Sequence, residues 1–208
     1  MNKVELVAFF EQLADVMQRE KENLIAMDSV VGDGDLGLTM SDGFAAAYNT
    51  VKGNQENDLG KLIYFGGKAM STAVPSTMGT LMASGLMQAG KALRGKSELA
   101  VNDEIAFFKA YEEGVAHRGK AKIGEKTFLD GFHPGVEKLE NEIRNGSDLK
   151  NASIEAEKAA ESGYENTGTM IAIHGRAATR GENSRSLKDP GAYVAKLIFS
   201  AYKNLKNF

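Results

Sequence analysis

Hydrophobic residues recur along this chain at intervals of three and four positions, the spacing that brings side chains onto one face of an α-helix. Leu6, Phe9, Leu13 and Met17 show it near the N-terminus. Polar residues fill the intervening positions, so each such stretch predicts an amphipathic helix with one buried face. Six further helices are predicted, around Met40, Phe44, Tyr48 and Val51, over residues 57–72 and 79–93, around Val101, Ile105, Phe108, Tyr111 and Val115, around Leu129, Phe132, Val136, Leu139 and Ile143, and over the alanine-rich residues 151–163.

An eighth helix is predicted to begin at Asp189-Pro190, where a carboxylate at the N-cap precedes a proline at the first helical position. Runs of β-branched residues are scarce, so no strand is expected. We therefore predict an all-α fold, an antiparallel up-and-down bundle or barrel of eight helices that forms a single domain over residues 1–208. Most connections are short, but residues 165–188 form a long polar connection of the kind that is usually functional.

The charge and composition narrow the class of protein. Its 25 basic residues are interspersed among 28 acidic ones, and the net charge is −3, so no basic surface for nucleic acid is expected. The chain has no cysteine, which excludes disulfides and thiolate chemistry. No apolar run approaches the length of a membrane span, and the charged N-terminus is unlike a signal peptide. We predict a cytoplasmic protein that binds neither nucleic acid nor membrane.

Three aspartates, Asp28, Asp33 and Asp35, lie close together in the sequence with glycines at positions 32, 34 and 37. Carboxylates at this spacing repel one another, and a divalent cation relieves that repulsion while the glycines allow the chain to bend around it. Mg²⁺ is the expected ion because it takes hard oxygen ligands and commonly shares its coordination sphere with phosphate. A solvated Asp-Gly turn is the alternative.

Two other segments carry groups suited to phosphate. Residues 118–128 are basic and contain two glycines, and Thr127 stands where a helix is predicted to begin. Free N–H groups there would favour an anion, although a solvated connector with a threonine cap is the favoured interpretation of this segment alone. Arg176, Arg180 and Arg185 fall within one short stretch and suit bidentate phosphate contacts. Solubilising charge on a flexible loop is the alternative, but the length of the loop favours a lid over a ligand.

Residues 90–97 match the Walker A pattern of P-loop proteins, from Gly90 to the pair Lys96-Ser97. That pattern requires a buried strand before it and a helix that starts at the Lys-Ser pair. Here a helix is predicted before it instead. We therefore interpret the segment as the basic C-terminal turn of a helix.

Together these segments resemble the nucleotide-binding L subunit of bacterial dihydroxyacetone kinase, the DhaL or DAK2 domain family. The resemblance covers nearly the whole chain, and its motifs occur in the order and at the spacing of that family. It rests on Asp28 with Gly32-Asp33-Gly34-Asp35-x-Gly37, on residues 119–121 and 124–127, and on residues 175–177, 181–182 and 189–192.

The resemblance implies an eight-helix barrel that binds ADP or ATP through two Mg²⁺ ions, with Asp28, Asp33 and Asp35 as metal ligands and no catalytic side chain of its own. It also implies a kinase subunit with two partners, an M-type phosphohistidine protein that rephosphorylates bound ADP and a K-type subunit that holds dihydroxyacetone. Whether the chain forms a homodimer is left open. The implied nucleotide contacts are Leu36, Gly37, Leu38, Thr39, Thr77, Met78, Gly119, Phe128, Arg176, Asp189, Pro190 and Gly191.

The chain departs from the family pattern at three places, which limits what the resemblance implies about the substrate and the phosphoryl donor. Leu36 replaces the usual histidine after the last aspartate, residues 74–79 replace a glycine-rich turn, and residues 178–180 replace aromatic and apolar residues. These changes indicate a divergent member that acts on dihydroxyacetone or another short ketose, or that uses another donor. Two further hypotheses are a nucleotide-dependent regulatory module without turnover and a phosphatase, for which the sequence offers no water-activating base.

Overall fold

A computed structural model of the chain describes residues 1–207. Within that range the backbone forms nine α-helices and no strand, which confirms the all-α prediction for the described residues. Phe208, the last residue of the predicted domain, lies outside the described residues. The helices are α1 (Lys3–Arg19), α2 (Lys21–Val31), α3 (Leu36–Gly53), α4 (Leu59–Ala73), α5 (Thr77–Ala92), α6 (Val101–Gly119), α7 (Phe128–Arg144), α8 (Leu149–Asn166) and α9 (Pro190–Lys206).

Helix α2 is not among the eight helices that the hydrophobic pattern predicts. Its buried side chains are Leu24 and Val31 alone, seven positions apart, whereas Val30 is exposed. Six of its eleven residues are apolar, but they do not form one buried face, so the sequence shows no clear amphipathic period. The single residue Glu20 separates α2 from α1, so neither glycine nor proline marks the boundary.

The helices group into two compact units, each assembled from two stretches of the chain. Unit 1 contains Met1–Arg19 and Leu38–Gly119, and unit 2 contains Glu20–Gly37 and the residues from Lys120 onward. Neither unit therefore corresponds to one continuous half of the sequence. Helix α3 has its first two residues in unit 2 and the remainder in unit 1.

In unit 1, helices α4, α5 and α6 pack in sequence order across short connections, which requires neighbouring helices to run in opposite directions. Glycines allow the closest approaches. A Cβ atom at Gly60 of α4 would lie 2.6 Å from the carbonyl oxygen of Gly90 of α5, and a Cβ at Gly85 would lie 2.7 Å from the ring of Tyr111. Any larger residue at these positions would force the helices apart.

In unit 2, α7 packs against both α8 and α9 around a core of aromatic rings. The ring of Phe132 lies 4.9 Å from that of Phe128 and 5.1 Å from that of Phe199, measured between centroids. Thr127 caps α7, because its Oγ1 accepts a hydrogen bond from the N–H of Leu129. The predicted start of this helix is thus confirmed, and Phe128 is the first residue it buries.

The long connection predicted over residues 165–188 contains secondary structure of its own. Short 3₁₀ helices form at Thr167–Thr169 and Arg176–Ser184, and the second is kinked at Gly181, where φ is +53°. Glycine adopts this left-handed conformation without the steric cost that a Cβ imposes.

Among residues 1–207, no helix is both long enough and apolar enough to cross a lipid bilayer.

Candidate functional site

The three aspartates converge in unit 2. Asp28 lies in the last turn of α2, and Asp33 and Asp35 lie in the connection that leads into α3. One carboxylate oxygen from each lies within 4.8 Å of the other two. Oδ2 of Asp28 also accepts a hydrogen bond of 3.3 Å from the N–H of Leu36, the first residue of α3. The sequence spacing therefore does correspond to a cluster in space.

Glycines make this convergence possible. A Cβ at Gly32 would meet Oδ1 of Asp28, and a Cβ at Gly37 would meet the carbonyl oxygen of Lys21 in the first turn of α2. Both separations are shorter than real Cβ contacts, so a side chain at Gly37 would clash with backbone and one at Gly32 would displace the Asp28 carboxylate. Gly34, between the second and third aspartates, has φ of +77°, a conformation that few other residues adopt. The chain can therefore fold back over the end of α2.

Burial and the crowding of like charges change the acidity of Asp35. Partial burial raises the pKa of Asp35 above its usual value, and the charges of Asp33 and Asp28 raise it further, whereas the Arg176 guanidinium lowers it. A cation placed among the three oxygens would remove the repulsion. Three carboxylates this close supply the hard oxygen ligands that Mg²⁺ or another divalent cation requires.

Two of the three predicted arginines extend from the second 3₁₀ helix to the segment of residues 28–37 that carries the aspartates, called the aspartate loop below. Nη2 of Arg176 lies 2.5 Å from Oδ2 of Asp33, and Nη2 of Arg180 donates a hydrogen bond to the carbonyl oxygen of Val30. Arg185 instead contacts its own segment, since Nη1 donates to the carbonyl oxygen of Thr169. Arg176 is thus the arginine that lies at the carboxylates.

Other predicted contacts in unit 2 lie at the N-termini of α7 and α9. Asp189 caps α9 by accepting a hydrogen bond of 2.7 Å from the N–H of Ala192, and Pro190 and Gly191, both buried, follow it. A Cβ at Gly131 of α7 would lie 2.5 Å from the carbonyl oxygen of Ala192, so the first turns of the two helices pack with little space between them. Phe128 is buried in the aromatic core of this unit.

Asp189 carries the most perturbed carboxyl group of this region. Burial raises its pKa to about 7; the hydrogen bond from Ala192 opposes this shift, and the charge of Asp130 adds to it. The carboxyl group of Asp189 therefore holds its proton more tightly in the folded protein than in the unfolded chain. We expect the free energy of unfolding of the ligand-free protein to fall as pH rises from about 4 to about 7, on the order of 1–2 kcal/mol after solvent screening.

The Asp189→Asn variant tests this expectation, because asparagine still caps a helix but does not titrate. Urea unfolding of the wild type and the variant at about pH 5 and about pH 8 would isolate the contribution of Asp189. The loss of unfolding free energy between about pH 5 and about pH 8 should be larger for the wild type than for the variant. An equal pH dependence would contradict the assignment of the raised pKa to Asp189.

Four predicted contacts in unit 1 occupy the N-terminal turns of α3 and α5. Oγ1 of Thr39 lies 3.2 Å from Oγ of Ser76, which caps α5 by accepting from the N–H of Gly79. Thr77 and Met78 are the first residues of α5, so they join Thr39 at this end of the helix. Leu38 is exposed.

The remaining predicted contact in unit 1, Gly119, is the last residue of α6. A Cβ built there would lie 3.1 Å from Cδ2 of Leu81 in α5.

A model of the DAK2 domain matches residues 30–204 of the chain. The chain belongs to the DAK2 domain family. Its sequence is 30% identical over 192 residues to the ADP-binding subunit DhaL of the PEP-dependent dihydroxyacetone kinase of Escherichia coli K12, covering 92% of this chain and 91% of that one. It is also 30% identical over 206 residues to the ADP-binding subunit DhaL of the PEP-dependent dihydroxyacetone kinase 2 of Listeria innocua, covering 96% and 95%.

The fold of this DAK2 domain recurs in a solved structure. The dihydroxyacetone kinase from C. freundii in complex with AMP-PNP and Mg²⁺ superposes with a TM-score of 0.73 at 22% identity, over 96% of this chain and 33% of that one. The chain thus corresponds to about a third of the length of that kinase.

Residues 124–127, part of the second family motif of this DAK2 domain, have a structural role that the sequence analysis did not predict. Lys126 is buried, and its Nζ donates hydrogen bonds to the carbonyl oxygens of Ser184 at 2.6 Å and Met170 at 3.1 Å. The neighbouring Glu125 contacts Nε2 of His174 at 2.6 Å. Glu125 and Lys126 therefore hold the 167–188 segment through their side chains, and the backbone at Lys126 is left-handed, with φ of +61°.

The prediction of free N–H groups at the start of α7 needs correction. The carboxylate of Asp130 already occupies that position, because Oδ2 accepts from the N–H of Thr127 at 2.7 Å and Oδ1 accepts from the N–H of Gly124 at 2.5 Å. A Thr127–Asp130 capping box therefore satisfies these donors within the chain. This outcome agrees with the threonine-cap interpretation favoured for the segment alone.

Proposed function

We propose that this chain is the nucleotide-binding subunit of a kinase for dihydroxyacetone or a related short ketose. The observation that carries the proposal is the correspondence over almost the full length of both chains with the ADP-binding subunit DhaL of E. coli. The aspartate cluster supports it independently, since phosphoryl transfer requires metal ions and cations that neutralise phosphate charge more than it requires a protein nucleophile.

In this proposal Asp28, Asp33 and Asp35 would hold two Mg²⁺ ions beside the phosphates of ADP or ATP. Bound Mg²⁺ supplies neutralisation of the phosphate charge. Arg176 adds a guanidinium at the same carboxylates, and arginine is well suited to a bidentate contact with phosphate. The nucleotide contacts predicted above belong to the same proposal and rest on the family resemblance.

Leu36 narrows what the aspartate loop can do in this chain. Its side chain is 4% exposed, so its backbone N–H, which points to Asp28, is its polar contribution to the loop. A member with histidine at this position would present an ionisable ring there. We therefore propose that the chain binds metal and nucleotide without an acid–base group at position 36.

The proposed relay uses two partners. The nucleotide stays bound, an M-type phosphohistidine protein rephosphorylates ADP, and the resulting ATP phosphorylates a ketose held by a K-type subunit. The chain's own residues hold and orient the nucleotide in this scheme, and none of them forms a covalent intermediate.

Reconstitution tests this function. Purified chain, a K-type subunit, an M-type donor and dihydroxyacetone should together form triose phosphate, and omission of any protein should reduce the rate to background. Substituting free ATP for the M-type donor distinguishes a bound-nucleotide relay from a simple ATP-dependent kinase. Tight ADP binding with no phosphorylated ketose in the complete mixture, with either dihydroxyacetone or L-erythrulose as the acceptor, would instead favour the regulatory-module hypothesis.

A further inference from the structure

A groove on the surface of unit 1 lies apart from the residues of that unit assigned to nucleotide. It has a cavity volume of about 460 Å³ and runs between the first turns of α4 and the last turn of α5. Tyr64 and Phe65 line one side and are half-buried, and Lys91 and Arg94 line the other and are exposed. A volume of this size accommodates one small organic molecule.

The floor of the groove is backbone, because the two helices cross at a pair of glycines. A Cβ at Gly90 would lie 2.6 Å from the carbonyl oxygen of Gly60 and 2.6 Å from the backbone nitrogen of Tyr64. Neither glycine can carry a side chain into the groove, so its depth is fixed by helix packing. The floor therefore does not depend on the rotamer of any flexible side chain.

The charge of the groove is positive once its internal ion pair is taken into account. Glu56 is compensated, since its Oε2 lies 3.0 Å from Nζ of Lys61 and its Oε1 accepts hydrogen bonds from the N–H groups of Asn57 and Asp58. The side chains of Lys91 and Arg94 form no ion pair with any other described residue. Two uncompensated cations thus face two aromatic rings across a backbone floor.

The groove is remote from the nucleotide contacts predicted in the same unit. Thr77 and Met78 begin α5, whereas Lys91 lies in its last turn. Met78 and Lys91 are thirteen positions apart in the helix, a distance of about 20 Å along the axis at the rise of an α-helix. Lys91 and Arg94 also belong to the Walker A-like segment, which the structure places at the end of a helix with no strand before it.

We propose that this groove binds an organic anion with a flat apolar body, whose acidic group contacts Lys91 and Arg94 and whose body packs against Tyr64 and Phe65. Charge-assisted hydrogen bonds would hold the acidic group, and the rings would bury the apolar body. The acidic group is a carboxylate, sulfonate or phosphate; lysine and arginine recognise all three by the same chemistry.

The absence of tryptophan from the chain allows a local test. Tyr64→Trp introduces a single tryptophan at the groove, and naphthalene-2-sulfonate is the probe. The titration is made without Mg²⁺ or nucleotide, so that failure of the proposed kinase function cannot affect it. We expect saturable quenching of the tryptophan, with affinity reduced about tenfold or more by the added substitutions Lys91→Gln and Arg94→Gln. The neutral analogue 2-naphthol should likewise bind about tenfold more weakly.

Arg19→Gln with Lys150→Gln is the matched control pair, because both residues lie outside the groove and the net charge changes equally. This pair should leave the affinity unchanged. If Tyr64→Trp disturbs folding, calorimetry of the unmodified chain measures the affinity for the same probe. Absence of saturable binding at millimolar probe, equal binding of 2-naphthol, or insensitivity to the Lys91 and Arg94 substitutions would overturn the proposal. Tighter binding of a hexaglutamate peptide than of the sulfonate would also overturn it, in favour of an acidic protein partner.

Discussion

Replacing Asp35 with asparagine is expected to weaken Mg²⁺-dependent ADP binding by at least about 100-fold. Substituting a residue that only hydrogen-bonds to a metal ligand costs up to about 100-fold in metal affinity, and losing a direct ligand should cost at least as much. The same variant should not be less stable than the wild type without metal. Asp35 has like charges on two sides, and removing one of three clustered carboxylates relieves repulsion. Isothermal titration calorimetry in Mg²⁺ and urea unfolding in EDTA measure the two effects separately.

Asp35 is a sharper choice than Asp33 because Asp33 has a second partner. Asp33→Ala should also abolish ADP binding, but it would release the Arg176 guanidinium that contacts Asp33 at 2.5 Å, so a metal effect and a loop effect would be mixed. Asp15→Asn, an exposed carboxylate on α1, is the control with the same change of charge, and it should bind ADP normally. An unchanged ADP affinity in Asp35→Asn would reject the metal site.

Replacing Lys126 with methionine should destabilise the protein by about 2–4 kcal/mol, because two carbonyl oxygens, those of Met170 and Ser184, lose their donor in a buried position. Methionine preserves most of the side-chain length and apolar stem, so the change isolates the ammonium group. Amide hydrogen exchange in residues 167–188 should increase more than exchange in unit 1, since that segment is what Lys126 holds. Denaturant unfolding and exchange mass spectrometry measure these effects.

Lys122→Met is the matched control, because Lys122 lies in the same basic segment but is exposed. It should change the free energy of unfolding by less than about 0.5 kcal/mol, as is usual for surface substitutions. If the two variants were equally stable, the buried contacts of Lys126 would be energetically unimportant, and its role as an anchor of the 167–188 segment would be wrong. Weaker ADP binding by Lys126→Met alone would further connect that segment to nucleotide binding.

The sequence shows which kinds of residue occupy positions 28–37, but it does not show which groups they contact in the folded chain. Three carboxylates separated by glycines predicted a cluster, and their oxygens do converge. The basic segment 118–128 was compatible with a phosphate-binding loop, although a solvated connector with a threonine cap was the favoured interpretation; its Lys126 is buried and its helix start is capped within the chain by Thr127 and Asp130. Spacing along the chain reports which residues are neighbours in sequence, and it does not report which groups are already satisfied by others.

The amino-acid sequence alone predicts the all-α class, the start of α7 at Thr127 and the start of α9 at Asp189. These depend on residues three or four positions apart, where the backbone geometry of a helix leaves little choice. It also determined that the three aspartates would be close, because fewer than ten residues with glycine bends join them.

Three features depend instead on packing in the folded chain: the existence of α2, the contact of Arg176 with Asp33 and the buried position of the Lys126 ammonium. The apolar residues of α2 do not form one buried face, since only Leu24 and Val31 are buried, and packing within its unit determines this helix. The two long-range contacts depend on where the backbone carries residues that are far apart in sequence, and Lys126 needs a left-handed backbone that no local pattern specifies. Local periodicity fixes helices, whereas the pairing of charges across a fold is fixed by packing and by the cost of leaving buried polar groups without partners.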